Sequence, residues 1–152
     1  MRERHLLSGA LLACGLAYGA TAIADADPTD LIKYRKDVMS ALGAHAGAAS
    51  LIIRGKVGYG PQLIDHARSL ALTTPLIKDV FPPDSELGDT NAKDAVWKKP
   101  EEFKKRATDA QDAAAAFLKA VEGGDKAEIR KNFMAMGKAC KSCHEEFRKE
   151  KK

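Results

Sequence analysis

The sequence predicts an all-α protein built as an antiparallel four-helix bundle, and three observations predict it. Proline and glycine divide the chain after its first two dozen residues into four long segments. Within each segment apolar residues recur every three or four positions, the spacing of one helix face. The alternating runs that mark strands are absent throughout. Four such helices in a chain of this length pack as a bundle.

Ahead of the helices, residues 1–24 read as a secretory signal peptide. Arg2 and Arg4 make a positive start, an apolar run extends from Leu6 to Ala22, and Ala22-Ile23-Ala24 is a small-x-small cleavage pattern followed by Asp25. A cut after Ala26 fits nearly as well. The apolar run is too short and too rich in glycine and alanine for a membrane span. Leu11-Leu12-Ala13-Cys14 resembles a lipoprotein box, but cleavage there would leave an unusually short signal and a greasy, glycine-rich tether. The expected location is therefore the periplasm, with no membrane span once the signal is removed. Cleavage removes Arg2, Glu3, Arg4 and Cys14, so the 25 basic and 21 acidic residues become 23 and 20, a net charge of +3. That balance is only mildly basic and, outside the last few residues, carries no basic block, which argues against a nucleic-acid partner. Residues 25–152 suit one domain with one core.

The first helix opens at Asp27-Pro28, a cap residue followed by proline at the first helical position. Its apolar stripe is Leu31, Tyr34, Val38, Leu42, Ala46, Ala49 and Ile53, and it ends near Gly55. Gly60-Pro61 opens the second, with Leu63, Ile64, Ala67, Leu70, Ala71 and Ile77 inward and a stop around Thr73-Thr74-Pro75. From Phe81 to Lys99 turn chemistry takes over: Pro82-Pro83, Gly88-Asp89, Thr90-Asn91, then the lone Trp97. Pro100 starts the third helix, striped by Phe103, Ala107, Ala110, Ala114, Phe117 and Val121 and stopped by Gly123-Gly124. Asp125 caps the fourth, with Glu128 placed for a capping box. Ile129, Phe133, Met136, Cys140 and Phe147 line its inner face.

Small side chains dominate the expected interior. Helix one supplies Gly43, Ala44, Ala46, Gly47, Ala48 and Ala49, and helix three supplies Ala113 to Ala116. Protein interiors are densely packed, so either the helices approach closely or another group occupies the space.

The last helix names a group. Cys140-Lys141-Ser142-Cys143-His144 is C-x-x-C-H, the attachment pattern of c-type haem. Positions i and i+3 project from nearly one helix face, so two thiols there can form thioethers to one porphyrin while the next histidine turns to the iron as axial ligand. A thioredoxin-like pair would need a preceding strand and a helix N-terminus to lower the thiol pKa, and neither is present. A structural zinc site needs four ligands, and no second Cys or His pair has suitable spacing. A plain disulfide beside a chance histidine is the bland alternative.

Three segments together resemble the cytochrome c-prime family and its low-spin relatives, the cytochromes c-556: "YRKDVM" (34–39), "GDTNAKDAVW" (88–97) and "GKACKSCHEEFRK" (137–149). The resemblance covers nearly all of residues 28–149. It implies a four-helix bundle holding one covalently attached haem c, with Cys140 and Cys143 as thioether cysteines and His144 as axial ligand. It also places Arg35, Lys36 and Asn91 beside the haem and Arg148 on the proximal face. A guanidinium at Arg35 could pair a haem carboxylate in bidentate fashion; solvated helix faces are the alternative for Arg35 and Lys36, and helix-dipole complementation for Arg148.

By the same resemblance Met39 faces the iron from the side opposite His144. Coordination by Met39 would give a low-spin electron carrier of raised reduction potential, the reading favoured by the "GAHAGAASLIIRGK" run that follows it. An uncoordinated Met39 would leave a five-coordinate iron open to nitric oxide or carbon monoxide. His45, six residues on, points to another side of the helix and is expected at the surface or an interface, and His66 carries no signal. No acid–base or nucleophile constellation accompanies the motif, so no enzymatic role is indicated. The partners implied are a periplasmic redox protein and a second copy meeting through helices one and two.

Overall fold

The computed structural model describes residues 26–150, so the expected leader lies outside the described residues. Four long helices and one single-turn helix follow in order: α1 Pro28–Ile53, α2 Leu63–Thr73, α3 Ala95–Lys98, α4 Pro100–Gly123 and α5 Lys126–Phe147. Two 3-10 turns, Gly60–Gln62 and Thr74–Lys78, flank α2. Among the described residues no strand forms; extended pairing is confined to an isolated antiparallel bridge between Ala92 and Arg148.

The helix ends are set by the residues that the sequence puts there. Asp27 accepts a hydrogen bond from the Thr29 N–H at 2.7 Å, with Pro28 entering the first turn. Asp125 accepts from the N–H groups of Ala127 and Glu128 at 2.8 and 2.9 Å. The capping box is half-formed, because the Glu128 carboxylate turns instead to Lys131 and Asn132. Gly124 closes α4 at φ +75, a left-handed conformation that glycine adopts without strain. Pro75 sits in a 3-10 turn that carries the chain past the end of α2. The 81–99 connection is mostly irregular, as its turn residues predict, but its end winds into α3 just before Pro100.

Helix α2 packs on α1, α4 on α2, and α5 on α4, yet no packed seam joins α5 back to α1. Three sides of the bundle are closed and the fourth is not. One buried cluster, with Ala49, Leu63, Ala67, Leu70, Ala114, Phe117, Ile129 and Met136, fills one part of the interior. A second, more aromatic cluster contains Ile77, Ala92, Val96, Phe103, Ala107 and Phe147, with Phe81 and Trp97 packed against it. Ring pairs Phe81–Phe103 and Phe103–Phe147 meet edge to face at 4.8 and 5.3 Å.

Two expectations about α1 are corrected. Tyr34 is 56 % exposed rather than inward, because the inner face runs through Ile32, Arg35, Val38 and Ala49. Gly43, Ala44 and Gly47 also face outward, and a Cβ built on either glycine would meet nothing within 4 Å. The small residues that do close the interior are Ala49, Ala67, Ala107, Ala110 and Ala114.

Arg35 ties α1 to the long connection. Only 3 % exposed, it donates from Nη1 to Ser85 Oγ at 2.9 Å and to the Val80 carbonyl at 3.4 Å. Its Nη2 donates to the Ser85 carbonyl at 2.9 Å and to Thr90 Oγ1 at 2.8 Å. The guanidinium lies over the rings of Phe81 and Trp97, 4.8 and 5.6 Å from their centroids. Ser85 in turn donates to the Pro82 carbonyl, which also accepts from the Trp97 indole N–H. Gly88, at φ +109, brings the same connection so close to α1 that an added Cβ would stand 3.2 Å from Ile32 Cδ1. Replacing Ser85 with Ala leaves a buried guanidinium N–H without its acceptor. Denaturant unfolding is expected to show a loss of about 1–3 kcal/mol, and an unchanged midpoint would show that Arg35 does not depend on this contact.

Candidate haem-binding site

Helix α5 positions the attachment residues. Cys140 and Cys143, both free and half-buried, sit one turn apart on a helix that runs without interruption from Lys126 to Phe147. Cys140 packs against the first core cluster and Cys143 against the second. A cleft of about 630 Å³ runs along α5, lined by Gly137, Cys140, His144 and Arg148 among others. Its lining residues all lie between Gly137 and Glu150.

Burial sets the chemistry of these groups. It pushes the Cys140 thiol up, and burial with the neighbouring Cys140 pushes Cys143 up to about 11. Both cysteines are therefore neutral thiols near pH 7, unlike the activated thiolates of redox dithiols. His144 is exposed overall, but partial burial and then the positive charge of Arg148 hold its pKa below the ordinary imidazole value. That favours the neutral ring, the form with a lone pair for a metal.

Met39 is half-buried on α1 and packs against the same cluster as Cys143. The structure thus brings a residue near the start of the fold and the attachment motif near its end to one part of the interior. The residues present fit a covalently bound haem: two thiols spaced i, i+3, a neutral imidazole beside them on a cleft, and an unpacked side between α1 and α5.

The flanking residues have partners within the fold. Four of the five N–H groups of Arg35 are directed to Ser85, Val80 and Thr90. Lys36 reaches Asp89 at 2.7 Å, with both side chains substantially exposed. Asn91 is drawn to the end of α5, its carbonyl accepting from the Lys149 N–H at 2.8 Å. The adjacent Lys93 N–H donates to the Phe147 carbonyl at 2.9 Å. These bonds hold Arg148 on the wall of the cleft beside His144.

Sequence reasoning missed Glu146. Its carboxylate accepts from Lys99 at 2.8 Å, with Arg106 at 4.0 Å, and the Lys99 hydrogen bond holds its pKa below the usual carboxylate range. It ties the start of α4 to the helix turn that carries Cys143. Its spacing from the motif was visible, but the partners lie more than thirty positions upstream.

Attachment through both cysteines has a direct check. The haem-loaded protein is expected to keep its haem stain through denaturing electrophoresis, and the Cys140→Ala/Cys143→Ala double variant to lose it. Retention of stain by the double variant would place the attachment elsewhere.

Comparison with known proteins agrees with this geometry. The family profile described as Cytochrome C' matches residues 30–148. A cytochrome c' of Pararhodospirillum photometricum is 36 % identical over 81 % of this chain and 99 % of its own length. Among solved structures, cytochrome c prime from Shewanella frigidimarina superposes with a TM-score of 0.77 at 28 % identity, covering 82 % of this chain and 98 % of that one. The nitric oxide complex of a variant cytochrome c prime from Alcaligenes xylosoxidans gives 0.76 at 28 % identity, covering 83 % and 98 %. Proteins of this family carry one covalently bound haem c per chain, and the chain belongs to the cytochrome c' family.

Proposed function

We propose that this protein is a periplasmic haem c protein whose iron has His144 as its one protein ligand and a distal side open to a small diatomic ligand such as nitric oxide or carbon monoxide. A bound haem would supply a redox-active iron able to take a small ligand. Cys140 and Cys143 anchor the group by thioether bonds, and Arg148 stands beside His144 on the proximal wall. The observation that carries the reading is the packing of Met39. Its side chain rests against the cluster of Ile77, Val96, Phe103 and Phe147, the ordinary place of a core methionine. The likeness to a solved cytochrome c prime in its nitric oxide complex supports the same reading.

A second reading has one observation in its favour. Met39 and Cys143 share a cluster, so the thioether lies on the side of the interior where a haem attached at Cys143 would sit. Met39 and His144 as an axial pair would make a low-spin electron carrier with a periplasmic redox protein as partner. A second copy of the chain would meet this one through α1 and α2, where the outward Gly43 and Gly47 of α1 allow close approach. No helix among the described residues is long and apolar enough to cross a membrane.

Optical spectra separate the two readings. The reduced protein is expected to show a broad high-spin spectrum that shifts on addition of carbon monoxide. Met39→Ala is expected to leave the ligand-free spectrum unchanged and to speed carbon monoxide association several-fold by clearing the distal side. A sharp low-spin spectrum in the native protein that Met39→Ala converts to high-spin would overturn the proposal in favour of axial ligation.

A further inference from the structure

A pair of histidines lies together outside the haem site. His45 on α1 and His66 on α2 are both half-buried, and their Nδ1 atoms face each other at 3.0 Å. The rings are tilted by 52°, with centroids 5.3 Å apart. The sequence places His45 on a different side of α1 from Met39 and attaches no meaning to His66. Packing of α2 on α1 brings them together.

The separation is informative. Two imidazole nitrogens, each about 2.0–2.1 Å from one divalent ion, stand about 2.9 Å apart at a right angle and about 3.4 Å apart at the tetrahedral angle. The observed 3.0 Å is the length of an ordinary imidazole hydrogen bond and also lies near the right-angle value, so the pair could close on one ion in a tetragonal site with little movement. Tetragonal nitrogen coordination suits copper(II) or nickel(II), and copper(II) binds nitrogen sites the more tightly. Without an ion, one Nδ1 carries the hydrogen that the other accepts. With an ion both rings present lone pairs at Nδ1, which needs only a tautomer change in one ring, its proton moving to Nε2.

We propose that His45 and His66 form a bidentate site for divalent copper at the α1–α2 seam, separate from the haem. Among the described residues no third histidine, cysteine or carboxylate joins them, so water completes the coordination. Partial burial on two packed helices holds the two rings in place before the ion arrives, which favours a chelate over binding to either ring alone.

Calorimetric titration of the ferric, haem-loaded protein with copper(II) tests this. One equivalent is expected to bind, and His45→Ala and His66→Ala are each expected to weaken binding by more than about tenfold, the least that loss of a direct ligand implies. Their haem spectra are expected to match the native protein. The copper EPR signal of the native protein is expected to show hyperfine splitting from two nitrogens, a readout that stands even if a variant fails to fold. Absence of stoichiometric binding overturns the proposal. So does native-like affinity in either variant, or splitting from one nitrogen or none.

Discussion

A four-helix bundle that leaves the seam between α1 and α5 unpacked must be held together by its other three seams and by its longest connection. That constraint organises the rest of the molecule. Helix α1 is joined to the bundle along α2, and Arg35 adds a second attachment by binding the 80–90 segment from within. At the opposite end, backbone bonds from Lys93 to Phe147 and from Lys149 to Asn91 tie the same connection to the end of α5. The connection therefore spans the two helices that do not pack on each other. An apolar α1–α5 seam would close the space between them.

The electrostatics follow the same division of labour. Arg35, the charged side chain buried most deeply, is satisfied by neutral oxygens and two aromatic faces rather than by a carboxylate. Such a network is costly to leave incomplete, so it acts as a scaffold. The ion pairs instead lie at the surface or, as with Lys99, Arg106 and Glu146, brace the turn of α5 that carries Cys143. Around the motif itself burial keeps the thiols neutral and the imidazole unprotonated. Both are the forms in which these side chains meet a haem.

Much of this was legible in the sequence, and the failures have a common cause. Pro28, Pro100, Gly124 and Asp125 mark helix ends by local backbone chemistry, and local chemistry survives in the fold. The C-x-x-C-H motif was readable because its members lie on one helix turn. The inner face of α1 was misjudged at Tyr34 because a stripe count treats arginine as outward. Only a tertiary contact with Ser85 and Thr90, fifty or more positions away, turns Arg35 inward. The outward glycines of α1 look like core for the complementary reason: composition records that a residue is small, not which way it faces. The His45–His66 contact joins residues on separate helices and has no local signature at all.

The central claim is that the unpacked side of the bundle between α1 and α5 receives the haem, with His144 bound to iron and Met39 close by but unbound. A crystal structure of the haem-loaded, ligand-free protein tests it most directly. The account predicts haem density between α1 and α5, an iron bond to His144, and a Met39 sulfur beyond bonding distance while Arg35 keeps its bonds to Ser85. An iron–sulfur bond to Met39, or a haem lying outside that gap, would contradict it.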